Sequence, residues 1–327
     1  MANNIKAGII GGAGYTGGEL CRLLLHHPQA EIVFIHSTSN AGNLVADVHE
    51  GLYGETNLRF TSELPLDCAD VVFFCSGHGK SAEFLSSHSM PERVRIIDLA
   101  QDFRLAAPGN DFVYGLPELQ KEAIEQANHV ANPGCFATCI QLALLPLASR
   151  HLLQGNVSVN AVTGSTGAGV RPSATTHFSW RADNMSIYKP FQHQHVPEIV
   201  QSIRMLQPSF DGSIDFIPYR GGFARGIFAT AVVRTEKAPN KEAVEALYKD
   251  FYRDAAFTHY VEKPLDLKQV VNTNKALVHT DVFDDKILVT SVLDNLLKGA
   301  SGQAVQNMNL MFDINERTGL QLKPSAF

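Results

Sequence analysis

In the first half of the chain, apolar residues fall in short unbroken runs separated by glycine turns and by stretches with helical spacing. The runs at 6–10, 31–37, 70–75, 95–99 and 129–131 read as strands. Between the first two, Leu20, Leu23 and Leu24 recur at helical spacing until Pro28 stops the pattern. Strands alternating with helical segments predict an α/β fold, a Rossmann-type doubly wound parallel sheet. The longest helical pattern begins at Cys135, directly after the turn signal Asn132-Pro133-Gly134, and carries Ile140, Leu142, Leu144, Leu145 and Leu147.

The pattern then changes. Runs at 156–162, 214–218, 226–235, 276–283 and 287–293 read as strands, with Asp284-Asp285-Lys286 as a short hairpin connection between the last two. Residues 242–254 form an amphipathic helical pattern. Hairpins with one helix predict an α+β domain with a mostly antiparallel sheet, one face covering a site and the other available for dimerisation. A C-terminal helix, with Val305, Met308 and Phe312 along one side, is expected to return to the first domain. The expected division is 1–145, joined by 299–327, as nucleotide-binding domain, and 146–298 as catalytic and dimerisation domain.

A chain of 327 residues exceeds one ordinary core, which agrees with two domains. With 45% hydrophobic and 18% charged residues it has the composition of a soluble globular protein. A net charge of −6 makes no electrostatic case for nucleic acid, so a small molecule is the expected partner. No apolar stretch approaches the roughly 20 residues of a membrane span. The opening residues run straight into a strand pattern and leave no room for a signal peptide. Cys21, Cys68, Cys75, Cys135 and Cys139 are odd in number and lack framework spacing, which points to reduced thiols in a cytoplasm.

Chemistry concentrates at the strand ends. Gly11-Gly12-Ala13-Gly14-Tyr15-Thr16-Gly17 links a strand to a helix, as a dinucleotide's pyrophosphate requires. At the end of the second strand stand Ser37, Thr38 and Ser39, with no carboxylate for a ribose 2′-hydroxyl. Hydroxyls donate to a 2′-phosphate without repelling it, so NADP is favoured over NAD. Cys135 lies at a helix start, where unpaired N–H groups and the helix dipole favour the thiolate. A buried, inert cysteine is the competing reading. Histidines 193 and 195 suit an acid/base partner of that thiol; as metal ligands they lack a third residue at a usual spacing. The 163–169 glycine-rich loop reads either as an anion-binding turn or as a connector. Arg225, at the start of a strand, has the fork to clamp a carboxylate or phosphate. A thiolate beside a nicotinamide implies a thioester that exchanges hydride with the cofactor.

The chain resembles the N-acetyl-gamma-glutamyl-phosphate reductases of arginine biosynthesis, relatives of aspartate-semialdehyde dehydrogenase. The carriers are Gly11-x-x-Gly14-Tyr15-Thr16-Gly17, Asp98-Leu99-x-x-Asp102-Phe103-Arg104, Tyr114-Gly115-Leu116-Pro117-Glu118, Asn132-Pro133-Gly134-Cys135, His193-x-His195-x-Pro197-Glu198 and Asn295-Leu296-x-Lys298-Gly299-Ala300-x-Gly302-Gln303-Ala304. The resemblance implies that Cys135 attacks an acyl phosphate, that phosphate leaves, and that NADPH reduces the thioester to a semialdehyde. It implies His195, with His193 second, as acid/base. It places Gly11, Gly14, Tyr15, Thr16, Gly17, Ser37, Thr38, Ser39, Ser76, Gly77, Gly167 and Asn295 at NADP(H), and Arg104, Glu118 and Arg225 at the substrate. It implies no metal and a homo-oligomer, dimer or tetramer.

Two stretches depart from the family pattern. Many relatives show Leu-Pro-His-Gly where this chain has Cys75-Ser76-Gly77-His78-Gly79. They show Pro-His-Leu-x-Pro-x-x-Arg-Gly where it has Pro218-Tyr219-Arg220-Gly221-Gly222-Phe223-Ala224-Arg225-Gly226. The second departure touches the substrate side, so N-succinylglutamyl and aminoadipyl phosphates stand beside the N-acetyl substrate.

Overall fold

The structure, a computed structural model, describes residues 4–235 and 238–326. It divides into two compact units. One comprises the residues up to Gly134 together with Ala300–Gln321; the other comprises Cys135–Gly299 and the residues from Leu322 on. Met1, Ala2, Asn3 and Phe327, at the ends of the segments expected at 1–145 and 299–327, lie outside the described residues.

The first unit runs β1 (Ile5–Ile10), α1 (Tyr15–Leu25), β2 (Ala30–His36), α2 (Val45–Val48), β3 (Val71–Phe74) and α3 (Lys80–Ser87). It continues with β4 (Arg95–Asp98), β5 (Val113–Tyr114), α4 (Pro117–Glu125) and β6 (His129–Ala131). The strands form one sheet in the order β2-β1-β3-β4-β6-β5, every pair parallel. All four residues of β3 are buried, as a strand covered on both faces must be. The chain leaves β1 for one side of the sheet and returns to β3 on the other. That reversal opens a crevice beyond the carboxyl ends of β1 and β3, where open parallel sheets bind ligands. The two-residue strand β5 is too short to leave a sequence pattern.

The second unit begins with α5 (Cys135–Ala148), β7 (Val157–Thr163), α6 (Phe178–Arg181), β8 (Ser186–Ile187) and α7 (Val196–Leu206). It continues with β9 (Ile214–Arg220), β10 (Ile227–Arg234), α8 (Lys241–Phe251), β11 (Thr258–Tyr260), β12 (Ala276–Phe283) and β13 (Lys286–Leu293). Its sheet has the order β11-β12-β13-β10-β7-β9-β8. Four of its pairs are antiparallel, and β7/β9 and β11/β12 are parallel. Phe283 pairs with Lys286, so the hairpin loop is Asp284-Asp285 alone, with Asp284 at φ 41°.

Every residue of α5 after Cys135 is buried. A helix apolar on all sides belongs inside a core, and α5 packs against β10, β13, α7 and α8. The division expected at 145/146 therefore falls inside a helix that belongs wholly to the second unit. The returning helix α9 (Gly302–Met311) belongs to the first unit. It buries polar side chains as well as apolar ones: Asn307 Nδ2 donates to the Gly115 carbonyl and to Asn132 Oδ1. Asn309 is bonded to His27 and to the Glu316 and Thr318 carbonyls. The bonds offset the cost of burying these amides. A single apolar stripe does not describe this helix.

Candidate functional site

The β1–α1 turn of the first unit has the glycine geometry that a dinucleotide cradle requires. Gly11 has φ +80°, and a Cβ there would lie 2.8 Å from the Ser76 N atom. Gly17 is equally constrained, since its Cβ would meet the Gly12 carbonyl oxygen at 2.4 Å. Gly14 differs: its Cβ would meet only one atom, at 3.9 Å, so the space before the start of α1 is open. That is the place a pyrophosphate takes, facing the N-terminal N–H groups of the helix. Tyr15 and Thr16 open α1, and the Cys75 thiol bonds to the Thr16 side chain. Ser76 and Gly77 follow β3 on the same side of the sheet.

At the end of β2 the hydroxyls form a cluster. Ser37 Oγ and Ser39 Oγ lie 3.5 Å apart, and Asn40 Nδ2 donates to both. Thr38 and Ser39 are exposed. The fold also brings Arg59 to this loop, its Nη1 donating to the Gly42 carbonyl at 2.7 Å. Sequence order separates Arg59 from the hydroxyls, so this cation was not legible.

The 98–104 stretch is built into the backbone. Asp98 Oδ1 accepts from Ser81 Oγ at 2.7 Å and from the Ala100 N–H, and burial pushes its carboxyl up to about 6. Asp102 accepts from the Gly79 and Ala82 N–H groups at the start of α3. Arg104 is buried, with Nε donating to the Asn132 carbonyl and Nη2 to the Leu99 carbonyl. Its fork thus holds the turn that leads into Cys135. Glu118 lies in the first turn of α4 and is partly buried.

The second unit carries the thiol. Cys135 is the first residue of α5 and only partly buried. The next side chain, Phe136, makes edge contacts with the rings of both His193 and His195, at 5.4 and 6.3 Å between centroids. The two imidazoles are buried and 4.5 Å apart. His193 Nδ1 accepts from the His195 N–H, so a neutral His193 carries its proton on Nε2. Burial, with Lys189 and Arg220 nearby, pushes the His193 pKa down to about 4. His195 immediately precedes α7, and Glu198 stands three residues on, which brings Nε2 and Oε1 to 3.9 Å. Glu198 is 2% exposed, and Gln141 Nε2 of α5 donates to its carbonyl. A thiol at a helix start, an imidazole and a buried carboxylate are the parts of an activated nucleophile.

The loop at 164–168 is not an anion-binding nest. The N–H groups of Gly164, Ser165 and Thr166 donate to the carbonyls of Gly226, Phe223 and Ala224, and Gly167 donates to Gly164. Asn295 locks the same region: its Oδ1 accepts from the Gly226 N–H at 2.7 Å and its Nδ2 donates to Thr166 Oγ1. Arg225 Nε and Nη2 grip the buried Asp294 carboxylate at 3.0 and 3.1 Å. Asp294 also accepts from the Asn272, Leu296 and Leu297 N–H groups. This shapes the turn in which Gly299 lies against the thiol, for a Cβ on Gly299 would be 2.8 Å from that of Cys135.

Two family models match: the semialdehyde dehydrogenase NAD binding domain over residues 6–127 and the semialdehyde dehydrogenase dimerisation domain over 135–295. Proteins named N-acetyl-gamma-glutamyl-phosphate reductase match along their whole length. That of Bacteroides thetaiotaomicron is 65% identical over 99% of this chain and 100% of its own. Those of Parabacteroides distasonis and Flavobacterium johnsoniae are 60% and 51% identical, with the same coverage. The chain belongs to the N-acetyl-gamma-glutamyl-phosphate reductase family. It is an oxidoreductase of the semialdehyde dehydrogenase type, and its family uses a nicotinamide cofactor. The fold also matches aspartate semialdehyde dehydrogenase II of Vibrio cholerae, with a TM-score of 0.73 at 18% identity, covering 95% of this chain and 99% of that one.

Set in this reductase family, the sequence motifs separate by unit. Gly11, Gly14, Tyr15, Thr16, Gly17, Ser37, Thr38, Ser39, Ser76, Gly77, Arg104 and Glu118 belong to the first unit. Cys135, Gly167, His193, His195, Arg225 and Asn295 belong to the second. Sequence reasoning gave no role to Glu198, Tyr188, Arg220 or Asp294. The spacing of Glu198 from His195 was a usable signal; the others come together only through the sheet.

Proposed function

We propose that this chain reduces an N-acyl-γ-glutamyl phosphate to the N-acyl-glutamate 5-semialdehyde, using NADPH and releasing phosphate, as a step of arginine biosynthesis. The observation that carries the reading is the partly exposed Cys135 at the start of α5, whose neighbour Phe136 packs against the rings of His193 and His195. The names of the full-length relatives support the N-acetyl substrate.

Cys135 gives up its proton to His195, and the thiolate attacks the acyl carbon. The carbon–oxygen bond to phosphate breaks, a thioester forms, and His195 returns the proton to the departing phosphate. When bound, the cofactor supplies the hydride that reduces the thioester carbon. The resulting alkoxide collapses, expels the Cys135 thiolate and releases the aldehyde. N–H groups in the first turn of α5 stabilise the oxyanion at both stages.

His195 is the better acid/base of the pair. It has a carboxylate at 3.9 Å to steady its protonated form, whereas burial, with Lys189 and Arg220 nearby, holds His193 neutral. Gly11, Gly14, Gly17, Tyr15, Thr16, Ser76 and Gly77 suit the pyrophosphate side of the cofactor. The exposed hydroxyls of Thr38 and Ser39, with Arg59 on the same loop, favour the 2′-phosphate of NADP(H). Arg104 supports the first unit by holding the Leu99 and Asn132 carbonyls, and Arg225 supports the second by holding Asp294. Phe178 and Phe191 remain 81% and 61% exposed on a unit that matches a dimerisation model, which supports a homo-oligomer, dimer or tetramer. None of the five cysteines forms a disulfide, which supports a cytoplasmic site of action.

The test is phosphate-dependent NADP⁺ reduction with N-acetyl- and N-succinyl-glutamate semialdehyde side by side. Activity that requires phosphate establishes the acyl-phosphate chemistry, and the faster substrate names the acyl group. Silence with both, from a folded protein, refutes the reading.

A further inference from the structure

His49 caps the C-terminal end of α2, and the fold carries its ring to the glycine turn 37 residues earlier in the chain. There Nε2 lies 2.8 Å from the Gly12 carbonyl oxygen. A carbonyl only accepts, so Nε2 carries the proton and donates it. The ring also meets that of Phe60, with 6.2 Å between centroids. Its other edge rests on α1, where a Cβ added at Gly18 would lie 2.6 Å from His49 Nδ1. Gly18 thus makes the room in which the imidazole stands.

Gly12 is buried, and its carbonyl depends on this bond. Gly17 packs against it so closely that a Cβ there would meet the oxygen at 2.4 Å. No backbone N–H among the described residues donates to it. Without His49 it would be a buried acceptor lacking a donor, which is costly. The bond also gives the next peptide unit a direction. A trans peptide is planar, and its C=O and N–H point opposite ways. Holding the Gly12 oxygen therefore aims the Ala13 N–H away from His49. The N–H groups of Gly11 and Gly12 are both engaged by the His36 carbonyl, at 3.2 and 3.0 Å. That of Gly14 reaches back to the Gly11 carbonyl at 3.5 Å, whereas the Ala13 N–H has no partner among the described residues. Donation into the Gly12 carbonyl polarises the shared peptide and makes the Ala13 N–H a stronger donor.

We propose that His49 is a positioning residue for the cofactor: through Gly12 it presents the Ala13 N–H as a donor to a pyrophosphate oxygen of a nicotinamide dinucleotide. The inference rests on the nicotinamide reading of the β1–α1 turn and deepens it. His49 acts through the turn rather than on the cofactor itself.

The experiment compares the full-length protein with His49→Leu, His49→Gln and Gly18→Ala. Leucine has no donor, whereas glutamine can place an amide N–H on the same carbonyl. Gly18→Ala keeps the imidazole but displaces its ring. The first readout needs no turnover: the Kd of NADPH by fluorescence titration, with the melting temperature of each variant measured without cofactor. The second is the kcat, at saturating NADP⁺ and phosphate, and the KM for N-acetyl-glutamate semialdehyde. The expected NADPH Kd is about tenfold higher in His49→Leu and Gly18→Ala, and within about threefold of wild type in His49→Gln. The semialdehyde KM and the kcat should stay within about threefold in all three variants. An unchanged Kd in both His49→Leu and Gly18→Ala overturns the proposal. Equal losses in NADPH and semialdehyde affinity that follow the melting temperature mark a merely structural histidine and overturn it too. A wild type that binds neither NADPH nor NADH refutes the nicotinamide reading itself, a failure distinct from that of His49. Gly18→Ala puts the best helix former into α1, so it remains informative should His49→Leu fail to fold.

Discussion

The Tyr252 hydroxyl donates to the Leu142 carbonyl at 2.5 Å, deep in the second unit. Leu142 is the carbonyl that residue 146 would bond in an uninterrupted helix, and residue 146 is proline. Tyr252 thus supplies the donor that Pro146 lacks. This lets α5 continue to Ala148 through a proline while remaining buried.

Tyr252→Phe should therefore lower stability by about 1–3 kcal/mol, because it strands a buried carbonyl while keeping the ring. Thermal or urea unfolding measures it. A variant as stable as the wild type would mean that Leu142 is satisfied another way.

Cys135→Ser should cut turnover by roughly a thousandfold or more, since a serine hydroxyl ionises far less readily than a thiol. Binding of NADPH, followed by its fluorescence, should be unaffected. Substantial retained turnover would remove the thioester route.

His195→Ala should lose about a hundredfold or more in kcat, and His193→Ala clearly less. The cause is the environment of each ring: His195 faces Glu198, while His193 is held neutral down to about pH 4 by burial and by Lys189 and Arg220. Wild-type activity should accordingly show no limb near neutrality that disappears in His193→Ala. The reverse order of losses would move the acid/base role to His193.

Asp98 makes stability depend on pH in a predictable direction. Burial raises its pKa from 3.8 to about 6, so folding favours the protonated carboxyl. The penalty for ionising it is absent below about pH 4, grows between pH 4 and 6, and is complete above that, at about 3 kcal/mol. Asp98→Asn mimics the protonated form and can place its amide where Oδ2 is buried without a partner. Its melting temperature should exceed that of the wild type at pH 7.5, and the gap should shrink towards pH 4.5. A gap that is constant with pH would contradict a raised pKa.

Much of this was legible from residue order, because local physics governs it. Unbroken apolar runs announced the parallel strands, and glycine between strand and helix announced a tight turn, where Gly11 does adopt φ +80°. Asn-Pro-Gly before a helical pattern put Cys135 at the start of α5. The roles of arginines were less accessible, since a guanidinium's partner is set by tertiary contact. Arg104 holds two carbonyls and Arg225 holds Asp294, and nothing in their local sequence announces either partner.

The sequence by itself determined the alternation of elements, the two kinds of sheet and the cysteine's position at a helix start, all properties of neighbours along the chain. Only the tertiary structure decided that α5 belongs to the second unit, since a helix apolar on every side is claimed by whichever sheet encloses it. It also decided which charged groups are paired inside the protein. That depends on residues far apart in sequence, such as Arg225 and Asp294, meeting in a medium where an unpaired charge is costly.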